Sequence, residues 1–173
     1  MVTLSLFRHA KSTWDNPGIG DFERPLAPRG EQAAPRMGAF MECEGLVPDL
    51  VLCSTARRAR QTFELAQAEW EAKPEVRYED DLYGAGPGDM LRFIHTLPAS
   101  VTHAMLIGHN PGMHSLAIFL SGDGEANAMV ALEMKYPTAA LAVIKFEGEW
   151  GSVGSAAGYL QQFMVPRGLP KVM

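Results

Sequence analysis

Cysteine is scarce in this chain: Cys43 and Cys53 are the only two in 173 residues, and they form neither a CxxC pair nor any other metal-like spacing. That excludes a disulfide scaffold and fits a reducing compartment. Long apolar runs are also missing, so no segment reads as a membrane span. The opening Met1 to Phe7 meets Arg8 directly, without the basic start and extended apolar stretch of a secretory leader, and a cytoplasmic location is expected. Positive charge is in deficit: 15 Lys and Arg stand against 20 Asp and Glu, a formal net charge of -5. General binding to nucleic acid or to an anionic membrane needs the opposite balance. Any anion site must therefore be local, and the few basic residues have to be traced one by one. No repeat, low-complexity tract or Pro/Ser-rich linker divides the sequence, so residues 1–173 are expected to form a single domain.

What is present is ordinary globular material, with 47% hydrophobic and 20% charged residues. A chain of this length buries roughly 70% of its unfolded surface, enough for a core without metal or disulfides. Thr3 to Phe7, Leu50 to Cys53, Ala104 to Ile107 and Ala140 to Phe146 read as short buried strands. Ala33, Met37, Phe40 and Met41 follow helical spacing despite the awkward Pro35, and a second helix runs from near Ala56 to Glu69. Met90, Leu91 and Ile94 mark a third helix, and Leu116, Ala117 and Leu120 a fourth that stops near Ser121-Gly122-Asp123-Gly124. Gly151 to Gly158 reads as a flexible loop before a final apolar segment, Tyr159 to Val165. The alternation predicts a three-layer α/β/α sandwich around a mostly parallel sheet.

Three basic signatures follow predicted strands. Arg8-His9-Ala10-Lys11 comes where the first strand gives out, and ligands of open α/β sheets collect at that edge. Ser54 to Thr62 opens a helix, where unpaired N–H groups and the dipole favour an anion and arginine adds a bidentate fork. Arg57, Arg58 and Arg60 cannot all project one way, so part of this block must be a solvated face. Gly108-His109-Asn110-Pro111-Gly112 again lies between strand and helix, with Pro111 placed where it costs no needed hydrogen bond. An isolated Arg-His pair is more often a surface His with a solvated Arg, and a lone His is more often structural. What changes that balance is that all three signatures occupy the same edge of the predicted sheet. Two imidazoles and at least two guanidiniums meeting at one point suit phosphoryl transfer: a neutral imidazole is a nucleophile at pH 7, and fixed cations stabilise the transferring oxygens. No metal and no cofactor is expected.

At these residues the chain resembles the histidine phosphatase superfamily, which includes the cofactor-dependent phosphoglycerate mutases, and in particular its small phosphohistidine phosphatases of the SixA type. The likeness rests on Phe7-Arg8-His9-Ala10-Lys11-Ser12 with Trp14, Arg24-Pro25-Leu26 followed by Arg29-Gly30, the Ser54–Thr62 block, Leu82-Tyr83, and Gly108-His109-Asn110-Pro111. It implies a phosphoglycerate mutase-like fold, with His9 as the phosphorylated nucleophile and Arg8, Arg58 and His109 holding the phosphoryl oxygens. Arg24 matches an arginine that lines the same pocket. Arg58 is preferred because it precedes Ala59 and lies three residues before Gln61-Thr62, which leaves Arg57 and Arg60 as solvated residues. Two departures stand out: Arg-His-Ala replaces the usual Arg-His-Gly, and Ser54-Thr55 replaces Ser-Pro. Small shifts of local geometry are expected from both.

No motif fixes an acid to protonate a leaving oxygen. Asp81 and Asp89 flank Leu82-Tyr83 and are candidates, with Asp15 a weaker one, although each would ordinarily be a solvated carboxylate. Without a strong acid a phosphohistidine is the easier substrate, because it can expel a neutral imidazole. The expected partner is a phosphorylated protein or a small phosphate-bearing molecule, and the oligomeric state is open. Two alternatives are a small-molecule phosphomonoesterase and a non-catalytic phosphate-recognition module, and the presence of His9 argues against the second. A mutase would need a lid to exclude water, and no lid-forming insertion is evident. A cysteine-dependent phosphatase would need an Arg six positions after the Cys, but six after Cys53 stands Ala59.

Overall fold

The structure is a computed structural model that describes residues 1–170. Seven strands form one sheet: β1 (Val2–Arg8), β2 (Leu50–Ser54), β3 (Glu75–Glu79), β4 (His103–Gly108), β5 (Ser121–Gly124), β6 (Leu141–Phe146) and β7 (Gly158–Met164). The five helices are α1 (Pro28–Cys43), α2 (Arg57–Gln67), α3 (Pro87–His95), α4 (Gly112–Leu120) and α5 (Ala126–Met134). Strand order is β3-β2-β4-β1-β6-β7-β5, and only β6 runs against the others, pairing antiparallel with both β1 and β7.

Because successive side chains of a strand face opposite ways, the central strands feed two cores. Leu4, Leu6, Leu52, Leu106 and Ile144 pack with Met90, Ile94, Met113, Leu116 and Leu132 of α3, α4 and α5. Phe7, Val51, Cys53, Ile107 and Val143 pack with Ala34, Met37, Met41, Ala59 and Phe63 of α1 and α2. These are the three layers that the sequence predicts. They place α1 and α2 on one face and α4 on the other, so the helices that follow the adjacent strands β1 and β4 leave in opposite directions. A crevice opens between such strands at their carboxyl ends.

Several elements differ from the sequence reading. Helix α1 begins earlier, with Pro28 in its first turn, and continues unbroken through Pro35. Strand β3 escaped notice because it is a short, charged, largely exposed edge, Glu75-Val76-Arg77-Tyr78-Glu79, in which only Val76 and Tyr78 alternate with charged residues. Helix α5 has a weak apolar stripe, with Val130 and Met134 exposed, and so gave no periodic signal. Strand β5 is Ser121-Gly122-Asp123-Gly124, which has no β propensity of its own; it exists because it pairs with β7, and Gly122 lets the chain pass where a Cβ would lie 2.1 Å from the Ala156 oxygen. The presumed loop over 151–158 contains a 3-10 turn, Trp150–Ser152, anchored by the buried Trp150, whose indole N–H donates to the Val101 oxygen (2.7 Å). The final apolar segment is strand β7.

Candidate active site

Register alone sets the two histidines side by side. Arg8 ends β1 opposite Gly108 at the end of β4, and the His9 N–H donates to the Gly108 oxygen (3.1 Å). The next residue on each strand is therefore a histidine at the crevice, and the two rings lie 5.2 Å apart, centroid to centroid. The α2 N-terminus supplies Arg58 from the neighbouring strand β2. Thr62, one turn further along α2, accepts from the Ala10 N–H (2.9 Å) and donates to the Arg58 oxygen (2.7 Å), which ties the loop after β1 to that helix. Gln61 does the same for the Leu26 N–H (2.8 Å). The Gln-Thr pair of the sequence motif is thus the clamp between two basic loops. Gly30 completes the arrangement, since a Cβ there would lie 2.1 Å from the Lys11 oxygen.

His9 is buried, and its Nδ1 lies 2.8 Å from the Ala10 oxygen. A carbonyl only accepts, so Nδ1 carries the proton and Nε2 keeps its lone pair. Burial chiefly, then the nearby His109, Arg58 and Arg8, push the His9 pKa down to about 3. His109 is pushed down to about 4, again by burial first and then by Arg58. At neutral pH both imidazoles are therefore neutral. His109 Nε2 meets the Ser54 hydroxyl at 2.7 Å. Arg8 Nη1 donates to the Tyr136 oxygen (2.9 Å). Arg8 Nε, Arg58 Nε and His109 Nδ1 are buried without a hydrogen-bond partner. Such nitrogens are costly unless something accepts from them, and an oxyanion would.

Asp21 is the residue that sequence reasoning missed. It sits in a 3-10 turn, Asp21–Glu23, and its carboxylate accepts from Arg24 Nε (3.0 Å), Arg58 Nη2 (3.1 Å) and the Tyr83 hydroxyl. The Asp-x-x-Arg spacing of Asp21 and Arg24 was the available signal. The Tyr83 hydrogen bond, followed by Arg58 and Arg24, pushes the Asp21 pKa down to about 2, so at neutral pH it is a counter-ion and not a proton donor. The guanidinium of Arg24 also donates to Ser12 (2.8 Å) and lies 3.5 Å from the centre of the Trp14 ring. Among the described residues, none of the three acids named from sequence hydrogen-bonds to Arg8, His9, Arg58 or His109. Asp89 caps α3 through the Gly86 N–H (3.0 Å) and pairs with Arg92, while Asp81 and Asp15 are exposed. Arg60 is not simply solvated: it is half-buried and its Nε donates to the Thr55 oxygen (2.8 Å). Arg57 is also half-buried, with Nη1 near the Glu23 oxygen (3.5 Å).

Three histidines, His9 buried and His103 and His109 half-buried, make stability depend on pH. His9, His103 and His109 titrate at about 3, 4 and 4 in the folded chain, in each case mainly because of burial. In the unfolded chain each takes a proton near pH ~6.5. Between those values the unfolded state binds more protons, so stability falls as pH drops from about 6.5 toward 4. The urea midpoint should be clearly lower at about pH 5 than at about pH 7; equal midpoints would contradict the neutral state of these rings.

With this geometry in view, the comparisons with known proteins are specific. The model of the histidine phosphatase superfamily (branch 1) matches residues 4–111. An uncharacterised protein of Mycobacterium tuberculosis is 41% identical over 162 residues, spanning 92% of this chain and 99% of that one. A candidate phosphohistidine phosphatase SixA of Agrobacterium tumefaciens superposes with a TM-score of 0.81 at 32% identity, covering 95% of this chain and 98% of its own. The protein histidine phosphatase SixA complexed with tungstate gives a TM-score of 0.78 at 20% identity, over 96% and 98% of the two chains, a likeness of fold.

Proposed function

The chain belongs to the histidine phosphatase superfamily, in its small SixA-type group, and on that premise we propose that it hydrolyses phosphohistidine in a protein through a phosphoryl group carried on His9. The observation that carries this reading is the His9 Nδ1–H bond to the Ala10 carbonyl, which leaves Nε2 unprotonated beside cations. Nε2 gives its lone pair to phosphorus as the bond to the leaving group breaks. Water then attacks phosphorus, the P–N bond breaks with its electron pair returning to Nε2 of His9, and inorganic phosphate departs carrying the protons of the attacking water or passing one to solvent. Arg8, Arg58 and His109 hold the phosphoryl oxygens, Arg24 lines the pocket, and Asp21 orients the two arginines it binds. An arriving dianion raises the proton affinity of His109, so its imidazolium forms when the charge is there to stabilise it.

The substrate class follows from proton supply. Asp21, the carboxylate that binds Arg24 and Arg58, is ionised at neutral pH and Asp89 is engaged as a cap, so neither is a ready acid for an alkoxide. A phosphohistidine whose other nitrogen already carries a proton leaves as neutral imidazole and needs none. Among the described residues no group of three or more His, Cys, Asp or Glu is placed to hold a metal ion. With EDTA present, kcat/KM for a phosphohistidine-bearing protein should exceed that for a simple alkyl phosphate by about 100-fold, the scale of a missing general acid. Turnover lost to EDTA and restored by a divalent ion would refute the metal-free mechanism. Faster cleavage of the alkyl phosphate would make the enzyme a small-molecule phosphomonoesterase instead.

A further inference from the structure

The strongest feature outside the phosphoryl pocket is a cavity of about 520 Å³ lined by Lys11, Arg29, Arg36, Lys135 and Arg167. These are five of the chain's 15 basic residues, and none of its 20 acidic residues shares the lining. In a protein of net charge -5 that concentration runs against the overall balance. Among the described residues none of the five makes an ion pair. Like charges gathered around one hollow repel one another unless an anion enters it.

Four separate stretches of chain build the cavity. Arg29, Gln32, Ala33 and Arg36 fall at i, i+3, i+4 and i+7 along α1 and so form one stripe of the helix. Lys11 comes from the loop after β1, Lys135 with Pro137 and Thr138 from the segment between α5 and β6, and Val165, Pro166 and Arg167 from the turn after β7. That third wall is shared with the phosphoryl pocket: the Tyr136 oxygen accepts from Arg8 Nη1 and Asn110 Nδ2, both at 2.9 Å, and the Ala139 N–H donates to the His9 oxygen (3.0 Å).

We propose that this cavity is a second anion site, taking a small molecule that carries two or more phosphate groups. Its volume lies in the range of small-ligand pockets, about 300–1,000 Å³. Three arginine forks and two ammonium groups suit phosphate oxygens. Ala33, Pro137, Val165 and Pro166 offer apolar surface to the body of the ligand. The site stands apart from the chemistry of His9 and would persist if His9 were not the nucleophile.

The probe is inorganic tripolyphosphate, titrated calorimetrically into the full chain. Two binding events are expected. Arg58→Gln should remove the one in the phosphoryl pocket, while Arg29→Gln with Arg36→Gln should weaken the other by at least about ten-fold, the scale of losing charge-assisted hydrogen bonds, and leave phosphohistidine turnover unchanged. Lys135→Gln with Arg167→Gln should reproduce the loss and serves if the first pair does not fold. A single event removed by Arg58→Gln, or a second event indifferent to both pairs, would overturn the proposal. So would a Glu-rich peptide held through these residues without tripolyphosphate binding, since the cavity would then belong to an acidic protein surface.

Discussion

His9→Ala is expected to abolish turnover and, with it, any phosphoryl group retained on the protein. Brief mixing of the unaltered chain with a labelled phosphodonor should leave an acid-labile, base-stable phosphate, as P–N chemistry requires; a serine ester would resist acid and an acyl phosphate would not survive base. The physical basis is the single available lone pair. Nδ1 of His9 is committed to the Ala10 carbonyl, so Nε2 is the only nucleophilic atom, and its low proton affinity keeps it available well below neutral pH. Alanine keeps the backbone bond from His9 N–H to Gly108 and removes only the ring. Near-normal activity in this variant, or a label on another residue, would end the assignment of the nucleophile. The arginine pocket could still bind phosphate in that case, so a binding measurement separates the two failures.

His109→Ala should slow phosphoryl transfer about 10²–10³-fold, the loss that follows deletion of one oxyanion donor, and should leave the covalent intermediate detectable. The ring is 5.2 Å from His9, packs edge-on to Tyr83 at 5.4 Å, and is held by Ser54, so its removal takes away a positioned donor and leaves the nucleophile in place. Single-turnover kinetics check this: the rate of label uptake should fall while its final stoichiometry stays the same. Complete absence of label would show that His109 carries a role His9 was given. The contrast between the two variants matters more than either value, because both rings are neutral imidazoles in the same crevice, His9 buried and His109 half-buried, and their nitrogens touch different partners.

The sequence by itself determined the main layers and the basic residues of the candidate site. Buried parallel strands are short apolar runs, because both their faces are covered, and β1, β2 and β4 are legible for that reason. Arg8, His9, Arg58 and His109 each follow such a strand, so their common edge could be inferred from order alone. Elements stabilised by partners and not by their own composition were not legible: the charged edge β3, the Ser-Gly-Asp-Gly strand β5 and the weakly patterned α5 depend on pairing and packing from distant parts of the chain. The same distinction holds in the site. A histidine in a motif is visible, but its tautomer is set by the Ala10 oxygen and its low proton affinity by burial, neither of which a motif encodes. Asp21 meets Arg58 across 37 residues and Tyr83 across 62, and the basic cavity gathers α1, two loops and the turn after β7. Such contacts exist only once the sheet has brought those segments together, because hydrogen bonds and charge coupling act over a few ångströms of space whatever the separation along the chain.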